Sequence, residues 1–307
     1  MTKNQAKDQK VPGGPPVAEV TLSADWFELL ALTKDNGRVS KSLVRELVGR
    51  NAPDMTADQV EVLVSDVFQE FKKRSSTCGS LYPFSVEPLR LVVRDSEEGA
   101  KLLYLFLVTM SLVPNFRKNG QGFQPGRAFE RVCAQALETW TTGKSIVFGD
   151  MKVGGVRARI KQLGKDLGVV SHPEKARKQR KDHGLDVAAW HPFGDRRAGY
   201  PIVFCQCALG GDPIVKARQV QAGEWGSLLD IREGTVTAAL AIPKVLEPEY
   251  EHWDELRYNT DLILDRQRLL AILQLVNNPW ASLIPETDHV LRLVEEWQEM
   301  EKEALAS

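Results

Sequence analysis

The 307-residue chain has no run of about 18 apolar residues, the length a helix needs to cross a bilayer. Its most apolar stretch, AKLLYLFLVTMSLV, falls short of that, so a soluble, cytoplasmic protein with no membrane partner is expected. Cysteine is scarce: Cys78, Cys133, Cys205 and Cys207 show no C-x-x-C spacing, which argues against a disulfide-stapled secreted scaffold and suits a reducing compartment. Net charge is nearly absent, with 40 basic against 41 acidic residues. Only the distribution of charge can therefore point to a polyanionic partner. There is no internal repeat, which excludes a solenoid. The first 20 residues, MTKNQAKDQKVPGGPPVAEV, contain no apolar segment and read as a disordered tail rather than a signal peptide.

What is present suffices for a large core: 43% of the residues are hydrophobic. Residues 21–116 read as an N-terminal helical domain. In ADWFELLALTKDNGRVSKSLVRELVGR and TADQVEVLVSDVFQEFKKR, apolar residues such as Val60, Leu63, Val64, Val67, Phe68 and Phe71 recur at helical spacing, with Thr56 as N-cap. A short extended piece, YPFSVEPLRLVVR, leads to an apolar helix over 98–112. VPNFRKNGQGFQPG then breaks the pattern and marks a boundary.

A core domain over 117–245 begins with the amphipathic helix PGRAFERVCAQALETW, whose apolar stripe runs through Phe129, Val132, Cys133, Ala136, Leu137 and Trp140 and is bordered by Glu130. A strand (KSIVFGD), a helix over 156–167, a hairpin of two strands, a helix and the strand GTVTAALAIPKVL follow. Two further helices, over 253–276 and 286–304, close the chain as a C-terminal hairpin spanning 246–307. The expected fold class is α/β (α+β), a mixed sheet core flanked by helical regions.

The hairpin carries the chemistry. In GLDVAAWHPF and YPIVFCQCAL, pairing Phe193 near Tyr200 sets Asp186 opposite Gln206. Side chains alternate along a strand, so Gln206 and Ala208 share one face while Cys205 and Cys207 share the other. Beyond the second strand, Asp212 and Pro213 form a helix-start signal, which puts Lys216 in the first turn, leaning back toward the strand end. A carboxylate, an amide oxygen and an ammonium meeting at one point are the parts that metal-assisted phosphodiester hydrolysis needs.

Charge is concentrated just before this point. From Arg157 to His183 there are nine basic residues, Arg157, Arg159, Lys161, Lys165, Lys175, Arg177, Lys178, Arg180 and Lys181, against the acids Asp166, Glu174 and Asp182. A basic stretch leading into Asp186 suits phosphate contact with a nucleic acid. Trp190, Trp225 and Trp253 read as packing residues, because none lies in an alternation of basic and aromatic residues.

These residues resemble the PD-(D/E)xK, or restriction-endonuclease-like, nuclease superfamily. The likeness is to the branch in which GLDVAAW is followed by a glutamine strand and a displaced lysine, and it covers about residues 125–245. The resemblance implies a restriction-endonuclease-like core, with Asp186, Gln206 and Glu130 as ligands of Mg²⁺ or Mn²⁺ and Lys216 as the catalytic lysine. It implies a DNA endonuclease acting as effector of a prokaryotic anti-phage system. A protein partner from that system and a homo-oligomer are further expectations. The sequence departs from the usual pattern at Ala208, where the lysine normally falls. The competing reading is therefore a catalytically inactive nuclease-like subunit that binds DNA or a partner. A zinc or redox protein built on Cys205 and Cys207, with His183 or His191, ranks third.

Overall fold

The computed structural model describes residues 14–112, 124–176, 183–195, 197–209, 213–220, 222–246, 253–281, 283 and 287–306. The chain divides into two compact units, Met1–Phe123 with Ile284–Ser307, and Gln124–Leu283. Both mix helix with sheet. Among the described residues no helix is long and apolar enough to cross a membrane.

The first unit was expected to be helical, but it also contains a sheet. Helices α1 (Val20–Thr33), α2 (Lys41–Asn51), α3 (Ala57–Cys78) and α4 (Glu98–Leu112) accompany strands β1 (Arg38–Ser40), β2 (Phe84–Glu87) and β3 (Arg90–Val93). The strands form an antiparallel sheet in the order β1-β3-β2. Asn36 and Gly37 interrupt the helical periodicity before Arg38, and Gly37 adopts φ +58. The segment read as one extended piece is thus a hairpin. Part of the tail expected over 1–20 is packed: Gly14 and Pro15 are buried, and the Ser23 hydroxyl donates to the Pro16 carbonyl at 2.6 Å, while residues 1–13 lie outside the described residues. Thr56 and Gln59 cap α3 reciprocally. The core of this unit encloses a buried ionic cluster, in which the Arg74 guanidinium donates to Asp25 at 2.7 Å, Glu28 at 2.6 Å and Glu70 at 2.8 Å. The phenols of Tyr82 and Tyr104 also donate to Glu28.

The second unit is built on a five-stranded mixed sheet. Its elements run α5 (Pro125–Thr141), β4 (Lys144–Val147), α6 (Gly155–Asp166), β5 (Val187–Trp190), β6 (Ile202–Cys207), α7 (Pro213–Ala217), α8 (Ala222–Leu228), β7 (Val236–Ala241), α9 (Trp253–Asn259), β8 (Leu262–Leu264) and α10 (Arg266–Leu273). The sheet order is β4-β5-β6-β7-β8. The first two pairings are antiparallel and the last two parallel. Parallel neighbours require a crossover, and α7 with α8 supplies the one between β6 and β7.

Alternation along the strands divides the core. Ala188, Trp190, Ile202, Phe204 and Ala238 face Ile160 and Leu163 of α6 and Trp225 of α8. Cys205 and Cys207 face the side on which α5 lies. Ala208 joins Leu240, Ile242 and residues of α7 and α9.

The expected 253–276 helix is broken by β8. Thr260 Oγ1 donates to the Ala238 carbonyl at 2.8 Å, and the Asp261 carboxylate accepts the Ala238 amide at 2.8 Å. Short polar side chains that bond backbone in this way compete with helix formation. Leu262–Leu264 therefore joins β7, and Asp265 starts a new helix by capping Arg268 N at 3.0 Å. The final helix, α11 (Thr287–Ala306), belongs to the first unit, so the expected C-terminal hairpin over 246–307 does not form.

Candidate active site

Asp186 precedes β5 by one residue, and its main chain is held on both sides. Its amide donates to the Cys205 carbonyl at 3.0 Å, and its carbonyl accepts the Phe148 amide at 2.8 Å. The β5–β6 register, Val187 with Cys205 through Trp190 with Ile202, places Asp186 opposite Gln206 as the sequence pattern implies. The ladder ends before Phe193 and Tyr200. Antiparallel residues directly opposite one another share a face, and the two side chains meet: the Gln206 amide nitrogen donates to Asp186 Oδ2. The same oxygen accepts the Cys207 main-chain N–H at 2.8 Å.

Glu130 approaches from α5. Its carboxyl is pushed up to about 7, first by burial and then by the negative charge of Asp186, with Asp150 adding to the rise. The Arg127 guanidinium opposes the shift and bonds Glu130 directly. The Arg127 guanidinium lies close to Gly149, where an added Cβ would stand 1.7 Å from its Nη1 and push the arginine aside. Arg131 Nε reaches Asp150 at 3.1 Å and Arg127 Nε reaches it at 3.8 Å. Asp150 was not singled out in the sequence, where it looks like the polar end of the strand KSIVFGD. Its relevance emerges only because β4 runs beside β5 and leaves Asp150 near α5.

Lys216 lies in α7 and is partly buried. Its Nζ donates to Gln219 Oε1 at 3.3 Å. The Gln219 main chain packs against Gly184, two residues before Asp186: a Cβ on Gly184 would lie 2.4 Å from the Gln219 carbonyl oxygen. Gly184 has φ +73 and His183 before it has φ +54, so two consecutive left-handed residues turn the chain into β5. The His183 imidazole is buried and bonds Glu224 through Nδ1 at 3.2 Å. His191 instead donates to the Thr142 carbonyl at 2.7 Å. Neither histidine meets Cys205 or Cys207.

The cysteines have a different neighbour. Cys133 of α5 and Cys205 each contact the Cys207 thiol. Burial is the leading cause that raises the Cys133 and Cys207 thiols above their usual range. For Cys205 the contact with Cys207 leads, followed by burial.

Of the basic residues, Arg157, Lys161 and Lys165 are exposed on α6. Arg159 is half-buried, with its guanidinium carbon 5.9 Å from the Phe148 ring centre. Lys175 reaches the Ser227 carbonyl at 3.3 Å. Arg177, Lys178, Arg180, Lys181 and Asp182 lie outside the described residues, as does Asp212. Trp190 and Trp225 are buried, while Trp140, expected on the apolar stripe of α5, is half-exposed.

Among the described residues no group of three or more His, Cys, Asp or Glu side chains is arranged to hold a metal ion. Asp186 is instead linked to two oxygen-bearing groups, to Gln206 by a hydrogen bond and to Glu130 by charge, and oxygen donors are what a hard divalent cation takes. No protein-family model, curated protein or solved structure matches the chain.

Proposed function

We propose that the chain is a metal-dependent DNA endonuclease of the restriction-endonuclease-like kind, with its site at Glu130, Asp186 and Gln206. The reading is carried by one observation: the carboxyl of Glu130 is raised to about 7 by burial and by the charge of Asp186. Two carboxylates from separate elements are held close although they repel. Natural sites tolerate such repulsion where a cation or a proton resolves it. Glu130, Asp186 and the Gln206 amide oxygen would hold Mg²⁺ or Mn²⁺, with water filling the remaining positions. Bound there, the cation polarises a phosphate oxygen and makes a water more acidic.

The remaining work falls to the chain's own residues. Lys216 would swing from Gln219 to steady the attacking water and the negative charge that grows on phosphorus. Arg159, placed by the ring of Phe148, and the exposed cations Arg157, Lys161 and Lys165 would draw the phosphate backbone toward the end of β5. The role of anti-phage effector, with a protein partner from the same system, extends this reading.

A second reading is favoured by Ala208 and by the Lys216–Gln219 bond. If the ammonium stays with Gln219, the unit binds DNA or a partner without cutting. Incubation with plasmid and linear DNA in Mg²⁺ or Mn²⁺, beside Asp186→Ala and Lys216→Ala, separates the two. Metal-dependent cleavage lost in both variants supports the nuclease. DNA binding without cleavage in any metal supports the inactive subunit.

A further inference from the structure

One edge of the five-stranded sheet is open beside α5. Strand β4 pairs only with β5, so the main-chain groups on its other side have no ladder to join. Their directions follow from the bonds at its two ends. The Ser145 N–H is donated to Glu138 Oε2 at 3.2 Å, away from β5, whereas the Phe148 N–H is donated to the Asp186 carbonyl at 2.8 Å, toward the β5 side. Alternation then turns the Ser145 carbonyl, the Val147 N–H and the Val147 carbonyl outward. Among the described residues no hydrogen bond closes any of the three.

A groove of about 380 Å³ runs along this edge, lined by Arg131, Gln135 and Glu138 of α5, by Ser145 and Val147, and by Ala281. The three α5 residues stand one turn apart and share a face. Their polar atoms are unequally engaged. Arg131 Nε meets Asp150 at 3.1 Å, so its charge is compensated. Gln135 Nε2 donates to the Asn278 carbonyl at 2.9 Å, but Gln135 Oε1 is buried without a donor, a costly state for an acceptor. Glu138 is exposed and accepts from the Ser145 N–H and, at 2.8 Å, from the Ser145 hydroxyl; among the described residues no cation pairs with it. The groove thus sets an uncompensated carboxylate and an unfilled amide oxygen on adjacent turns, beside a free strand edge.

We propose that this edge and groove are a docking site for an extended, lysine-bearing segment of a partner protein, which adds as a further strand beside β4. Its main chain bonds the outward groups of Ser145 and Val147, and its ammonium lies between Gln135 Oε1 and the Glu138 carboxylate. Charge selects the occupant: the one uncompensated group of the lining is negative. A second copy fits less well, because pairing β4 with itself about a two-fold axis meets an N–H already closed by Glu138 on both chains. The docking site stands whether or not the chain cuts DNA.

The probe is a fluorescein-labelled nonapeptide of alternating threonine and valine with a central lysine, beside the same peptide with norleucine in that place. Fluorescence anisotropy with the full chain should show saturable binding of the lysine peptide, and binding about tenfold or more weaker for norleucine. Val147 has φ −85 and an outward N–H, so proline fits there without breaking the β4–β5 ladder. Val147→Pro should weaken the lysine peptide about tenfold, while Glu138→Gln and Gln135→Leu should each remove most of the preference for lysine. In the chain labelled with ¹⁵N-valine, the amide resonance missing from Val147→Pro identifies Val147. That amide should exchange quickly with solvent in the free chain and slowly once the peptide is added. Absence of saturable binding overturns the proposal, as does equal affinity for the norleucine peptide or equal binding by Val147→Pro. A Val147 amide already protected in the free chain overturns it too, because the edge is then covered by a second copy or by the chain's own segment, which sedimentation velocity tells apart.

Discussion

Glu130→Gln should make the second unit less sensitive to pH. The Glu130 carboxyl titrates near 7 in the folded chain against an ordinary 4.5, so the folded state holds its proton more tightly than the unfolded state does. For such a group, stability is greatest below the unfolded value and falls as pH rises through the folded one, here between about 4.5 and 7. The full shift, 7 − 4.5, corresponds to about 3.4 kcal/mol at 1.36 kcal/mol per unit. The side chain is 13% exposed and lies near open solvent, so screening reduces the loss to about 1–2 kcal/mol. Glutamine removes the ionisation and can still accept from Arg127. Urea unfolding at a series of pH values between 4.5 and 8, without divalent metal, measures it by tryptophan fluorescence. Five of the 7 tryptophans, at 140, 190, 225, 253 and 280, report on the second unit. Asp265, also raised by burial, lowers stability over its own range in both proteins, so the difference between the two curves isolates Glu130. The variant should gain about 1–2 kcal/mol over the parent between the acid and alkaline ends. Parallel curves would show that Glu130 is not held against Asp186 and Asp150, and the site as described would fall with them.

The other predictions concern neighbouring parts. Mg²⁺ at millimolar concentration should raise the melting temperature of the parent at neutral pH, and far less that of Asp186→Asn, because ligand binding to the folded state stabilises it by mass action; differential scanning fluorimetry measures both. Gly184→Ala places a Cβ 2.4 Å from the Gln219 carbonyl oxygen at φ +73, so it should cost about 1–3 kcal/mol in urea unfolding and weaken any cleavage. Arg159→Ala should lower affinity for DNA of any sequence and reduce the slope of log K against log salt by about 1, measured by fluorescence anisotropy. Arg74→Met strips three buried carboxylates of a common partner and should cost the first unit about 3–5 kcal/mol by calorimetry.

The order of elements around the hairpin is legible because each carries its own signal. The stripe of α5, the β-branched residues of β6 and the Pro213 helix start need no long-range information. Asp186 opposite Gln206 is legible for a similar reason: a hairpin fixes its register locally. What the sequence hides is what depends on distant partners. Leu262–Leu264 becomes a strand only because Thr260 and Asp261 bond β7, more than twenty residues earlier in the chain. Asp150 joins Glu130 only because β4 lies beside β5. The cysteine cluster joins a helix to a strand more than seventy residues later, and an alternating Cys-x-Cys carries no trace of a third member.

Burial accounts for the absence of a lysine at position 208. Ala208 is 6% exposed and packs with Leu240, Ile242 and Ile214, so a lysine at that point would have to push its ammonium through an apolar cluster. Burying such a charge costs several kcal/mol unless it is paired. The next element, α7, starts close by and offers a partly buried position at Lys216, whose stem can lie along the unit while its head stays wet. The head is held by Gln219, and the Gln219 main chain presses on Gly184 at the entry to β5. The lysine is therefore tethered to an uncharged amide oxygen, through one charge-assisted hydrogen bond worth about 1.5–3 kcal/mol, which the full negative charge of a phosphate can outcompete. Gln219→Ala should then leave cleavage intact or raise it, while Lys216→Ala abolishes it. If both variants abolish cleavage equally, Gln219 is needed in its own right, and the tether argued here is wrong.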